Sequence, residues 1–448
     1  MTSIDSARAA RTASGALPFM GHVIEFKRDP ISFLKRVRDL GEGVVEIRLG
    51  PKPAYVVNDE DLVRKVLVSE AHHFSKGVFW DKVAAITGNG LATSSGAEHL
   101  KQRRLMQPVF HRERIARYAN TMAQEWERRI AAWEDGQTLD VLPTMSETAL
   151  TMAAKTIFSS QIGERAVEVL RANWPAFQDG VMWRMMNPFP VLERLPTPGN
   201  RRFAASIEEM WRVIGDVITA YRADGVDRGD LLSMLVAARD QDTGEVMTDV
   251  EIRNQVLTIA LASGETMGMI LSWSLYRIGQ NPEIGQRIAD EVAAIVGEGP
   301  LTFEDIGKLE FTNLFIKEIL RFYPFWMLMR RANEDIVLGE VRITKGAQVI
   351  LSPVSMHRDP ALFADPDSFD PDRFLSERAV DFRRTSYVPF GAGQHRCIGD
   401  GFAVTETALG LATICRRFAP KPAAGQITKE HILFVIVPRP LKMTFETR

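Results

Sequence analysis

Apolar positions recur along this chain with two different periods. Val44–Leu49 (VVEIRL) and residues 54–57 (AYVV) read as extended segments, and Gly50-Pro51-Lys52-Pro53 between them predicts a strand, a turn and a second strand. From Asp59 onward the helical period dominates. Ile115, Tyr118, Met122, Trp126, Ile130 and Trp133 follow in steps of three and four, in a helix predicted to close at Asp135-Gly136. Residues 181–200 hold four prolines among bulky apolar side chains and read as a loop-rich lid between two helices. Thr248 and Glu251 have capping-box spacing and open a helix predicted to reach Gly279, before Asn281-Pro282. At 1.5 Å per residue it would run ~47 Å, long enough to cross a whole domain. Helical patterns also cover residues 302–323 and the segment after Gly401. IVLGEVRI and AQVIL, within 336–351, predict short strands, and ILFVIV and LKMTFE near the end predict a hairpin. The expected fold class is mainly α with a smaller β region (α+β). With no repeat, low-complexity tract or dividing linker, one domain is expected over residues 1–448, with 1–16 disordered.

Composition narrows the setting. Of 448 residues, 45% are hydrophobic and 25% charged, and the formal charge of −2 calls for neither nucleic acid nor an acidic membrane as partner. The two cysteines, Cys397 and Cys415, are too few for a disulfide framework, which fits a reducing cytoplasm. The polar start MTSIDSARAARTASGALPFMGH lacks the apolar core of a signal peptide and the ~20 apolar residues of a membrane anchor, so a cytoplasmic protein without an anchor is expected. Residues 256–278 are apolar, but Glu265 at their middle would cost roughly 2.5–3.5 kcal/mol in a bilayer. A helix buried inside a large protein is the better reading.

The richest stretch is Phe390-Gly391-Ala392-Gly393-Gln394-His395-Arg396-Cys397-Ile398-Gly399. Its glycines allow positive φ and close approach of the backbone to a flat ligand. A helical pattern follows (Phe402, Thr405, Glu406, Leu409, Ala412, Thr413), and a helix N-terminus favours a thiolate at Cys397. Phe390 and Ile398 are placed to shield the sulfur. A buried cysteine in a glycine-rich turn is the ordinary alternative, whereas Cys415 has no such setting and reads as core. The string as a whole resembles the heme-binding signature of the cytochrome P-450 family, Phe-x-x-Gly-x-x-x-Cys-x-Gly. The resemblance implies that Cys397 is the metal ligand of heme b, iron protoporphyrin IX, and that the fold is that of the family, with a long central helix over the heme.

The resemblance extends over nearly the whole chain, from Leu17-Pro18 to the C-terminal strands. Glu318-Ile319-Leu320-Arg321, with Phe369-Asp370-Pro371-Asp372-Arg373-Phe374 some 50 residues later, resembles the family's Glu-x-x-Arg helix and its Arg-containing partner. That pairing implies a buried charge triad holding the cysteine loop. Ala262-Ser263-Gly264-Glu265-Thr266 is similar to the oxygen-activation motif, implying catalytic roles for Glu265 and Thr266 in proton delivery at a glycine-loosened point of the helix. Ser263 stands where the family has Gly, and Met267 where a second Thr or Ser is common. His99-Leu100-Lys101-Gln102-Arg103, Arg330 and His395 match positions that bind the heme propionates, with Arg104 and Arg331 as neighbours able to exchange roles.

The implied activity is monooxygenation: hydroxylation or epoxidation of a hydrophobic small molecule with O2 and two electrons from a ferredoxin and ferredoxin reductase. Lys101, Arg103, Arg104, Arg112 and Arg396 would offer that donor a basic patch. By resemblance, the pocket is lined by Phe79, Trp80, Val83, Ile86, Met182, Trp183, Met186, Ile259, Ser263, Phe325, Trp326, Met327 and Phe434. These are bulky and almost uncharged, and suit a substrate without a carboxylate. Arg103-Arg104 with Gln107-Pro108, the run Pro196-Thr197-Pro198-Gly199-Asn200-Arg201-Arg202-Phe203, and Trp326 look like bacterial terpene-oxidising members, which implies a terpenoid of secondary metabolism. A polyketide, macrolide or steroid substrate is the alternative within the class. A peroxide-dependent peroxygenase or isomerase, and a noncatalytic heme sensor, are the alternatives outside it.

Overall fold

The computed structural model describes residues 7–448 apart from 51, 159–160, 188–189, 241 and 376–385. The side chains of Lys52, Gln161, Ile162, Met186 and Pro190 also lie outside the described set. The chain forms two compact units that interleave along the sequence, so no single cut separates them.

One unit comprises Met1–Asp81, Ser95–Leu100 and Glu318–Cys397. Its centre is a six-stranded sheet in the order Arg11–Thr12, Val44–Leu49, Lys52–Val57, Gln348–Leu351, Leu328–Ala332, Phe74–Ser75. Val44–Leu49 and Lys52–Val57 pair antiparallel, with Val44 opposite Val57, as the sequence predicts. Both faces of the sheet are covered. Val44, Tyr55, Val57, Val349 and Leu351 enter one apolar cluster, and Val45, Ile47, Ala54, Val56 and Ile350 enter the other. The predicted strands of 336–351 are present as Ile336–Leu338, Val341–Ile343 and Gln348–Leu351. The expectation of disorder to residue 16 fails for the described part of that segment. Arg11–Thr12 pairs in parallel with Val45–Glu46, Arg8 bridges to Val341, and Ala13 is buried. Pairing with a sheet edge orders a stretch whose own composition is that of a coil. Residues 1–6 lie outside the described residues.

The other unit comprises Lys82–Ser94, Lys101–Lys317 and Ile398–Arg448. The long helix Asp249–Gln280 runs through it for 32 residues, opened by the Thr248/Glu251 capping box. It is long and apolar enough to cross a membrane, and most of that stretch is buried inside the protein. Around it stand Val141–Ile157, Pro198–Asp224 and Asp400–Arg417. Trp273 Nε1 donates to the Ile436 carbonyl at 2.7 Å, tying the helix to the hairpin Lys429–Ile432/Ile436–Arg439.

Three local expectations are corrected here. The predicted lid over 181–200 is helical as far as Met186, because its prolines begin only at Pro188. The C-terminal hairpin joins different strands. ILFVIV folds back on itself around residues 433–435, while Lys442–Thr447 pairs with Phe418–Pro422 and Gln137–Asp140. The helix expected over 302–323 is two, Phe303–Ile306 and Glu310–Phe322.

Candidate active site

The cysteine loop is bent by two of its three glycines. Gly391 and Gly393 take φ of +69° and +67°, whereas Gly399 stays at −94°. Gly393 is required twice over, since a Cβ there would stand 1.9 Å from the carbonyl oxygen of Leu67. The bend lets the Cys397 N–H donate to the Phe390 carbonyl at 2.9 Å and leaves Cys397 exposed. The helix Asp400–Arg417 starts three residues later.

The Glu-x-x-Arg pair underlies this loop. Glu318 and Arg321 are fully buried, and Arg321 Nε and Nη2 donate to the two carboxylate oxygens of Glu318 at 2.7 and 2.9 Å. Arg373 Nε and the Asp370 N–H reach Glu318 Oε1 at 3.2 and 2.9 Å. Arg321 Nη1 donates onward to the carbonyls of His357 and Pro366 at 2.7 and 2.9 Å. The buried charges are therefore paired and bonded throughout. His357, a lone histidine with no motif around it, extends the network. Burial pushes it down to about 3, so the ring is neutral. Its Nδ1 bonds the Arg321 carbonyl at 3.1 Å, and its Nε2 accepts from Val388, two residues before Phe390, at 3.0 Å.

Cationic residues gather beside the loop. The rings of His99 and His395 lie 4.3 Å apart, and His99 Nε2 bonds the Gln394 carbonyl at 3.0 Å. Lys76, also buried, brings its Nζ within 3.4 Å of His99 Nδ1. Sequence reading passed over Lys76, a lone lysine in an ordinary polar stretch. Arg330 is buried in the strand Leu328–Ala332, and burial brings its guanidinium down to about 10. Its bond goes to the Met329 carbonyl, and no carboxylate lies within 4.0 Å among the described residues. A buried guanidinium without an anion is costly by several kcal/mol. An anionic group such as a heme propionate would satisfy it, and an exposed thiol at a glycine-bent loop would suit a heme iron. Arg331 instead pairs with Asp81, and Arg104 with Asp240 and Asp242, so neither exchanges roles with its neighbour. Arg103 is half-buried, one helical turn beyond His99.

In the other unit the long helix presents a stripe open along one side. Ile259, Ser263 and Thr266 are half-buried and Ala262 is exposed, on a helix otherwise largely closed. Thr266 Oγ1 donates to the Ala262 carbonyl at 2.5 Å. Glu265 is buried, and its Oε1 has no hydrogen-bond partner among the described residues. Burial pushes this carboxyl up to about 7, against the pull of Arg439. The glycines here serve packing rather than loosening. A Cβ on Gly268 would lie 2.2 Å from Ser146 Oγ and 2.9 Å from Ser146 Cα, and one on Gly264 would touch the Trp174 indole at 3.4 Å. The helix is unbroken through both, which corrects the expectation of a loosened point.

Of the apolar candidates, Phe79, Trp326 and Met327 pack together against one face of the sheet, with Trp80 edge-on to Phe79 at 5.3 Å. Val83 and Ile86 are buried in the helix Val78–Thr87. Met182 and Phe434 are half-buried, as is Phe325, and Trp183 is exposed. The side chain of Met186 lies outside the described residues. Lys101 carries Glu245 as its partner, which with the pairing of Arg104 thins the expected basic patch.

The sequence model of the family described as Cytochrome P450 matches residues 13–445. The chain is 38% identical over 438 residues to a cyclooctat-9-en-7-ol 5-monooxygenase of Streptomyces melanosporofaciens, covering 98% of this chain and 95% of the relative. It is 36% identical to a pentalenene oxygenase of Streptomyces avermitilis, covering 90% of each. Among solved structures, the cytochrome P450DA heme domain superposes with a TM-score of 0.85 at 26% identity over 99% of this chain and 98% of that one. Retinoic-acid-bound cyanobacterial CYP120A1 gives 0.87 at 22% identity over 99% and 100%, a likeness of fold.

Proposed function

The chain belongs to the cytochrome P450 family, and from that membership we propose that it hydroxylates or epoxidises a cyclic terpenoid of secondary metabolism, as one catalytic domain in the cytoplasm. The enzyme is a heme-thiolate monooxygenase. Substrate, O2, two electrons and two protons yield oxidised substrate and water. In this reading Cys397 holds the iron, and His99, Arg103, Arg330 and His395 hold the propionates, with Lys76 beside them. The bound heme supplies O2 binding and, through electron density from the thiolate, cleavage of the O–O bond.

The chain's own residues manage protons and water. A carboxyl poised near 7 can release and recover a proton at neutral pH, which is what Glu265 contributes. The Thr266 hydroxyl, anchored on the Ala262 carbonyl, keeps its oxygen available to accept from water. In this reading the apolar side chains of Phe79, Trp80, Trp326 and Met327 in one unit, and of Val83, Ile86, Met182, Ile259 and Phe434 in the other, keep water from the substrate, and Ser263 is polar among them. The electrons come from a separate ferredoxin and its reductase. Lys101 and Arg104 are paired with Glu245 and with Asp240 and Asp242, and Arg103, Arg112 and Arg396 are the other basic residues proposed to attract it.

The observation carrying the terpenoid reading is the 38% identity, along almost the full length of both chains, to the cyclooctat-9-en-7-ol 5-monooxygenase. It is tested by titrating cyclic sesquiterpenes and diterpenes, steroids and macrolides against the purified heme protein. The active terpene is then turned over with ferredoxin, reductase and 18O2. A terpene-induced spectral shift with 18O in the product is expected. Shifts with macrolides or steroids alone would overturn the substrate class, and turnover with peroxide but not with ferredoxin would overturn the electron donor.

A further inference from the structure

The helix Gln161–Met186 ends in an unusual way. A helix leaves its last carbonyls without intrahelical partners and carries partial negative charge at that end. Here they are met by an ammonium from elsewhere in the same unit. Lys82, on the helix Val78–Thr87, donates to the carbonyls of Arg184 and Asn187 at 3.4 and 3.3 Å. No carboxylate lies within 4.0 Å of Lys82 Nζ among the described residues, and these two carbonyls are its described partners. The same end is fixed on another side. Arg184 donates to Asn200 Oδ1 at 3.3 Å and stands 3.8 Å above the Phe203 ring, both on the helix Pro198–Asp224.

The two segments that Lys82 joins carry Val83 and Ile86 on one side and Met182 on the other, all assigned above to the substrate wall. Apolar side chains of separate elements have nothing directional to hold their spacing. Two hydrogen bonds near the long end of the normal range supply direction, yet are weak enough to break often. We propose that Lys82 is a latch: its ammonium clamps Val78–Thr87 to the last turn of Gln161–Met186, and its release sets how fast a bulky apolar molecule enters or leaves the pocket. This rests on the pocket reading under Proposed function. Lys82 is a positioning residue, acting through the helix end it holds and not on the substrate.

The test uses heme-loaded full-length protein and azoles, whose spectral shift reports arrival at the iron whatever the natural substrate is. Stopped-flow mixing with a bulky apolar azole (econazole) and a small one (imidazole) is compared among wild type, Lys82→Met and Lys82→Arg. In Lys82→Met, on- and off-rates for econazole are expected to rise about tenfold together, a change of about 1.4 kcal/mol in the gating barrier. Its equilibrium constant should move little, imidazole should be unaffected, and Lys82→Arg should behave as wild type. Unchanged econazole rates, or equal acceleration of both azoles, would overturn the latch. If Lys82→Met loses its heme, hydrogen exchange on wild type decides. Residues 78–87 and 181–187 should open together at one rate, and independent opening rejects the proposal. Wild type that gives no shift with either azole refutes the heme reading itself, and the latch with it.

Discussion

Burial acts on several single side chains here with different results. It lifts Glu265 to about 7, where a carboxyl is useful. Replacing it by Gln is expected to lower product formation about 100-fold and to remove a decline in product per electron pair as pH rises through about 7, read from coupled turnover with a terpene substrate. Burial lifts Glu406, in the helix Asp400–Arg417, to about 8, with both oxygens unbonded among the described residues. The native state keeps this proton between about 4.5, the ordinary value, and about 8, while the unfolded chain has lost it. Stability must therefore fall as pH rises across that window and level off above it. Glu406→Gln should melt higher than wild type at pH 8.5 and match it near pH 4, and a constant difference at both would contradict this. Glu318 is the opposite case, a charge kept by its partners. Glu318→Gln leaves Arg321 and Arg373 buried without their anion, with an expected loss of ~3–5 kcal/mol seen in denaturant melts and in heme retention. The buried pair Glu318 and Arg321 was legible in the sequence because its neighbours sit at fixed spacing, and the same kind of spacing singled out Cys397 and Glu265 as candidates. Lys76 and His357 were not, since a lone lysine or histidine acquires its role only from contacts such as His357 to Val388, across 31 residues.

At the scale of elements, local signals served well where the element is stabilised locally. The Thr248/Glu251 box opens the long helix where the spacing says it should, because both bonds lie within four residues. Strand partners were the weak point. LKMTFE alternates as a strand whichever neighbour it takes, and its partners Phe418–Pro422 and Gln137–Asp140 are chosen by the tertiary fold. Proline density likewise marked the break between two helices but could not tell that residues 181–186 belong to the first of them. The glycines of the long helix were noticed for flexibility and turn out to permit close contact. Gly268→Leu would force the helix away from Ser146, and is expected to cost about 1–3 kcal/mol while leaving helicity by circular dichroism nearly unchanged. A large drop in helicity would favour the flexibility reading instead.

Across the whole molecule, mixed surface charge and a buried apolar helix agree with what composition implied. The division into interleaved units was invisible to it. Each unit is assembled from three separated segments of the chain, and one of them needs Met1–Asp81 together with Glu318–Cys397. Cutting the gene after residue 317 therefore removes the two central partner strands of the six-stranded sheet, Leu328–Ala332 and Gln348–Leu351, and exposes the edge of Lys52–Val57. Such a fragment should be insoluble rather than a smaller folded protein, checked by expression and sedimentation.

The same interleaving fixes a timetable for biosynthesis. At ~5–20 residues per second the ribosome needs roughly 20–90 s for this chain. The first 81 residues wait through most of that interval, their apolar strands uncovered, until the strands that flank them emerge. Newly made protein should accordingly depend on holding chaperones far more than its finished form does, and slowing translation downstream of residue 81 should lower the yield of folded enzyme.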